Sequence, residues 1–181
     1  KGFIVNKIRY LALLSCLLAL PCLAAKKEEV NYLDLAALML RDGNLDRAFI
    51  ALDQVPLDDE DVDLKRYYTL RGMAHLRRNE PEPAAAALEK AVETGATESV
   101  VYVYLAQVYF QLERYRDVLE TLDQAGAELV KVASVYHMRA QCHWLLHEPA
   151  YALATLDQAS GLFPGETGFL RRKVFFLIEL G

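Results

Sequence analysis

The sequence predicts an all-α solenoid of about four and a half helix-turn-helix units, and three observations lead to it. First, Leu52-Asp53-Gln54-Val55, Leu88-Glu89-Lys90-Ala91, Leu122-Asp123-Gln124-Ala125 and Leu156-Asp157-Gln158-Ala159 recur at spacings of 36, 34 and 34 residues. Second, a tyrosine stands twenty residues before each of these leucines: Tyr32, Tyr68, Tyr102 and Tyr136. Third, a small residue follows each tyrosine by four (Ala36, Gly72, Ala106, Ala140), and a second small or apolar residue follows by sixteen (Ala48, Ala84, Val118, Ala152). A fixed period of this length builds a quasi-one-dimensional stack, each unit covering its neighbour's apolar face.

The chain opens with Lys1, Lys7 and Arg9, an apolar run from Tyr10 to Leu20, then Pro21-Cys22-Leu23-Ala24-Ala25 and the polar Lys26-Lys27-Glu28-Glu29. This is the form of a secretory signal peptide, assigned to residues 1–24. The run would make about 17 Å of helix against a hydrocarbon core of roughly 30 Å, so export is expected and a membrane span is not. Leu13-Leu14-Ser15 ahead of Cys16 offers a lipid-attachment reading, disfavoured because further apolar residues follow that cysteine. The expected location is periplasmic, with an outer-membrane lipoprotein as the alternative. Removing residues 1–25 leaves 17 cationic residues against 25 anionic, a net charge of −8 and a poor surface for nucleic acid. Of the three cysteines only Cys142 then remains, so the remainder forms no internal disulfide even in a compartment that permits one.

Each unit reads as two antiparallel helices. Tyr32, Leu35, Ala36 and Met39, and again Tyr102, Leu105, Ala106 and Tyr109, fall at i, i+3, i+4, i+7, which is the helical period. The second helices repeat at i, i+4, i+7 in Ala48-Leu52-Val55, Ala84-Leu88-Ala91, Val118-Leu122-Ala125 and Ala152-Leu156-Ala159, one buried stripe each. The small position after each tyrosine is where the two helices approach, and a larger side chain there would push them apart. Asp42-Gly43-Asn44, Asn79-Glu80-Pro81-Glu82-Pro83 and His147-Glu148-Pro149 mark the turns into second helices, while Pro56 and Pro164-Gly165 mark exits. The acidic linker Asp58-Asp59-Glu60-Asp61-Val62-Asp63 lacks the glycine turn and distal glutamate of an EF-hand loop, so it reads as a solvated loop with helix-capping acids. A fifth unit then begins, with Leu170, Val174 and Leu177 at first-helix positions and Gly181 where Gly43 stands in the first unit.

Over residues 29–181 the chain resembles the tetratricopeptide repeat (TPR) family, in units 29–62, 65–98, 99–132 and 133–166 and a half unit 167–181. Tyr32, Tyr68, Tyr102 and Tyr136 fill the family's aromatic position, and Pro164 its late proline. Arg71, Arg139 and Lys173 depart from it, replacing an apolar residue one step before the small position; their stems can pack while their heads reach water. The resemblance implies a right-handed solenoid whose first helices line a concave groove. Counting two, five, nine and twelve into each unit places Arg66, Thr69, Met73 and Leu76, then Val100, Val103, Gln107 and Phe110, then Ser134, His137, Gln141 and Trp144, then Arg171, Phe175 and Ile178 on that face. Met73, Phe110, Trp144 and Phe175 are candidate apolar anchors, and Gln107 and Gln141 can each pair with a peptide backbone. The lysine-and-asparagine carboxylate clamp of chaperone-binding members is absent from these positions.

The implied role is a protein–protein adaptor of the bacterial cell envelope, since envelope members of the family assemble or couple multi-protein machines such as pilus, secretion, polysaccharide-export or energy-transducing systems. The expected partner is another envelope protein or a peptide segment of one, with membrane association only through that partner. The alternative is that these residues are the N-terminal repeat region of a longer envelope protein whose activity lies beyond residue 181. An enzyme is not expected. No Gly-rich phosphate loop, nucleophile elbow or paired-carboxylate cleft is present, and no cofactor is called for. His143 and His147, four apart beside Cys142, have part of a zinc-site spacing, but the repeat explains them: His143 and His75 stand where Tyr109 stands, and Cys142 where Ala74 and Val108 stand.

Overall fold

A computed structural model of the chain describes residues 30–126, 129 and 131–181. The signal peptide expected at residues 1–24 lies outside them. The described array, from Asn31 to Gly181, forms one compact unit, all-helical among the described residues. The helices are α1 (Tyr32–Arg41), α2 (Leu45–Leu52), α3 (Leu64–Arg77), α4 (Pro81–Glu93), α5 (Ser99–Gln111), α6 (Tyr115–Gln124), α7 (Ala133–Leu145), α8 (Pro149–Leu162) and α9 (Thr167–Leu180). Every helix packs on its neighbours in sequence, and the first helices also meet one another, α1 against α3 and α3 against α5. That contact pattern is a solenoid's. None of the described helices is long and apolar enough to cross a membrane.

Capping side chains start several helices. Asn31 accepts from the backbone N–H of Leu33 and of Asp34, both at 3.1 Å, Asn44 accepts from Arg47 at 3.3 Å and Asp63 from Arg66 at 3.0 Å, each satisfying N–H groups that the first turn leaves open. Asp63 is thus the helix-capping acid of the acidic linker, whose Asp59 closes a local turn by accepting from Asp61 N–H at 2.9 Å. At α4 and α8 proline occupies the first turn instead, where its missing N–H costs nothing. The preceding glutamates are then available elsewhere: Glu80 holds His75 at 2.7 Å and Glu148 holds His143 at 2.8 Å. His143 therefore bonds across its own turn, at the same unit position as His75.

The turn from first to second helix repeats one backbone device. Gly43, Asn79, Glu113 and His147 all take a left-handed conformation, with φ of 75°, 60°, 58° and 58°. The next residue then donates its N–H back into the helix, Asn44 to Met39, Glu80 to His75, Arg114 to Tyr109 and Glu148 to His143, at 2.8–3.0 Å. This left-handed closure satisfies end carbonyls and reverses the chain. Only the first unit supplies the glycine that this φ favours.

The repeated stripes form the core. Leu52, Leu88, Leu122 and Leu156 are buried, as are Ala36, Ala106 and Ala140 at the close-approach position. At Gly72 a Cβ would sit 2.5 Å from Leu88 Cγ, so α3 and α4 come closer there than alanine would allow. Two expectations need correcting. Leu35 is more than a third exposed, because its position faces a preceding helix pair and none lies among the described residues. In α9 the buried residues are Phe169 and Phe176, whereas Leu170, Val174 and Leu177 are exposed by about half. The two phenylalanines face α7 and α8. The other three occupy the face that a unit's own second helix covers, and among the described residues α9 has no such helix.

Candidate interaction groove

The three cationic departures from the repeat have a common explanation. Arg71 meets Asp53 at 3.1 Å, Arg139 meets Asp123 at 2.6 Å, and Lys173 pairs with Asp157. Each aspartate belongs to the Leu-Asp-Gln motif of the preceding unit, so the pairs tie a second helix to the following first helix. Where Leu105 fills the same position, the equivalent Glu89 instead accepts from the Tyr109 hydroxyl at 2.7 Å, and Arg114 lies over the Tyr109 ring, 4.2 Å from its centre. Burial and this bond to Glu89 push the Tyr109 phenol pKa well up. The pairing was missed from sequence, although its signal was present: a cation eighteen or sixteen residues after the motif's acid.

The predicted groove residues differ in their surroundings. Thr69 is half-buried and donates its hydroxyl to the Lys65 carbonyl at 2.8 Å, which engages it inside its own helix. Met73, Leu76, Val103 and Phe110 are half-buried and pack against the core; Phe110 also meets Tyr115 edge-on at 5.6 Å. Trp144 stacks flat on Phe176 with ring centres 4.1 Å apart. Phe110 and Trp144 thus do not stand clear of the inter-helix packing, because the twelfth position of a first helix leans on neighbouring elements as well as on the groove. Gln107 is exposed.

The remaining four are brought together. His137, Gln141, Arg171 and Phe175, with Gly168, Arg172 and Phe176, line an open hollow of about 440 Å³ between α7 and α9. His137 stacks on Phe169 at 4.1 Å and 14°, and its Nδ1 is buried without a hydrogen-bond partner among the described residues. Its pKa is lowered, first by burial and then by the positive charge of Arg172, with Glu166 opposing. Arg172 donates through Nη1 to Gln141 Oε1. Phe175 is 54% exposed and tilts against Phe176. Gly168 opens the hollow: a Cβ there would meet the His137 ring at 3.3 Å. Arg172 and Gly168 were not among the predicted groove residues; the run Arg171-Arg172-Lys173 in an otherwise acidic chain was the available signal for the first, and position two of the half unit, where Gly168 stands, for the second.

Cys142, beside His143, is fully buried, and burial pushes its thiol pKa up to about 12. A thiol so placed is a packing residue and not a nucleophile. Among the described residues no group of three histidine, cysteine or acidic side chains is arranged to hold a metal ion.

The helix pairs, their left-handed turns and the side-by-side first helices define an α-solenoid of the tetratricopeptide type. Solved structures of that shape agree. YrrB, described as a TPR protein with an unusual peptide-binding site, superposes with a TM-score of 0.73 at 18% identity, over 86% of this chain and 79% of that one. MamA from Desulfovibrio magneticus RS-1 gives 0.71 at 17% identity, covering 82% of each chain, and a further MamA crystal structure gives 0.71 at 18%, covering 81% and 85%. No protein-family model and no curated protein sequence matches the chain.

Proposed function

We propose that this chain is a protein-interaction adaptor of the bacterial cell envelope, holding an extended or helical segment of a partner protein along the face its first helices present. The observation that carries the reading is the hollow between α7 and α9, where positions five and nine of two successive units supply His137, Gln141, Arg171 and Phe175 to one surface. A surface built this way combines an exposed aromatic, an amide and cationic groups, the composition of recognition sites. The peptide-binding site of YrrB, on a shared fold, supports a polypeptide as ligand. The envelope assignment rests on the charged start, short apolar run and small-residue site at residues 1–25. Export with cleavage then delivers an acidic solenoid to the periplasm, where it has no nucleic acid to avoid and meets membranes only through its partner.

Replacing Phe110 and Trp144 together with alanine tests the groove, with pull-down from native envelope extract and circular dichroism read side by side. Capture is expected to be lost with the array still helical but less stable, since interface aromatics typically carry about 2 kcal/mol or more each and both rings also pack on neighbouring elements. Phe175→Ala, at an exposed position of the same face, is expected to weaken capture without loss of stability. Unimpaired capture by a folded double variant would place recognition elsewhere. N-terminal sequencing of the exported protein tests the envelope reading: a start near residue 25 is expected, and an intact Lys1 or a lipid on Cys16 would refute cleavage.

A further inference from the structure

We infer that the hollow between α7 and α9 recognises an acidic segment of the partner, receiving a carboxylate between Arg171 and Arg172 while Phe175 covers the adjoining apolar stem. The inference rests on the groove reading above and adds to it the chemistry of the ligand.

Cations elsewhere in the array are mostly spoken for. Arg66 holds Asp34 at 2.6 Å, Arg71 holds Asp53, Arg139 holds Asp123, and Lys173, next in sequence to the two arginines of the hollow, holds Asp157. Arg171 and Arg172 differ. Neither forms an ion pair among the described residues: Arg172 donates to the neutral amide of Gln141, and Arg171 is exposed. Two guanidinium groups thus share one concave surface with no ion-pair partner among the described residues, on a chain whose formal charge is −5. A guanidinium matches a carboxylate in shape as well as in sign, and a concave setting strengthens the attraction relative to an open surface.

The His137 ring, stacked on Phe169, forms one wall of the hollow, with its Nδ1 buried. Gln141, whose Oε1 is occupied by Arg172, retains its NH2 group as a donor beside the two guanidinium groups. The acid beside the hollow, Glu166, caps α9 by accepting from the Gly168 N–H at 3.2 Å and forms no ion pair with either arginine. Gly168 keeps the entrance open, as a Cβ there would press on the imidazole edge. Basic donors, an amide and an aromatic shelf form a receptor for Asp or Glu on an extended segment. A basic segment would face two arginines.

The test is selection of a random dodecapeptide library on the purified chain, followed by fluorescence anisotropy with the best peptide and its Asp/Glu-to-Asn/Gln counterpart. Selected peptides are expected to be enriched in Asp and Glu, and neutralising the acids should weaken binding about tenfold, the loss of one charge-assisted contact. The double variant R171A/R172A should bind both peptides equally, at the neutral peptide's affinity. Because Arg172 bonds to Gln141, R171A alone, at an exposed position, serves as the variant that keeps the fold, with circular dichroism on both. Peptides that bind without acid enrichment, or a folded R171A/R172A that still prefers acids, overturn this inference while leaving the groove reading intact. Failure to select any peptide overturns this inference, whereas the groove reading is judged separately by capture of the native partner with the Phe110 and Trp144 variants.

Discussion

His137 shows how one residue's burial becomes a measurable property. Burial, assisted by Arg172 and opposed by Glu166, holds its pKa below the ordinary 6.5. As pH falls through 6.5 the unfolded chain takes up a proton that the folded chain still resists, so the unfolded state binds more protons and stability declines toward the lower, folded pKa. Above about pH 7.5 both states are neutral and the effect vanishes. NMR titration should therefore place the His137 imidazole below 6.5, and the urea midpoint should fall more between pH 7.5 and 5.5 for the wild type than for His137→Gln. A His137 pKa at or above 6.5 would contradict the burial argument. Legibility varied at this scale. The repeat register placed Gln141, Arg171 and Phe175 by counting alone, but it could not show that Arg172, one step off the counted positions, would turn into the same hollow, nor that Thr69 would spend its hydroxyl on Lys65.

At the level of the element, the close-approach position decides stability and the acidic linker does not. Ala106 is fully buried where α5 meets α6, so Ala106→Leu forces the helices apart at a cost of roughly 1–3 kcal/mol. Asp59 lies in an exposed turn, and Asp59→Ala should stay within about 0.5 kcal/mol. Thermal melts compare the two, and equal shifts would mean that the register is wrong. The helices themselves were legible because apolar spacing and small residues agree in each unit, with turn signals in the first, second and fourth. Glu113 was not legible as a left-handed turn residue, since glutamate does not mark such a turn, whereas His147 was read as part of a turn and is of a type enriched there; the closing hydrogen bonds into the helix end accompany that conformation in both. Arg71, Arg139 and Lys173 looked like departures because the motif describes one unit at a time, and their partners lie in the unit before.

For the whole molecule, the stack is what turns modest helices into a surface. Four helix pairs and α9 align their first helices, so residues 34 apart in sequence, such as His137 and Arg171, become neighbours on one face. The same logic explains why α9 shows half-exposed Leu170, Val174 and Leu177: their equivalents are covered from within the unit. The solenoid was legible from the period itself, while the hollow was not, because it depends on Gly168 lacking a side chain and on the angle between α7 and α9. The central claim, that recognition uses the first-helix face, is tested most directly by site-specific photo-crosslinking in living cells. A benzophenone amino acid would be placed at Gln107 or Phe175 on that face and, as controls, at the exposed second-helix residues Ile50 and Tyr151. Crosslinks to a partner protein from Gln107 and Phe175, with none from Ile50 and Tyr151, are the expected result; adducts confined to Ile50 and Tyr151 would contradict the account.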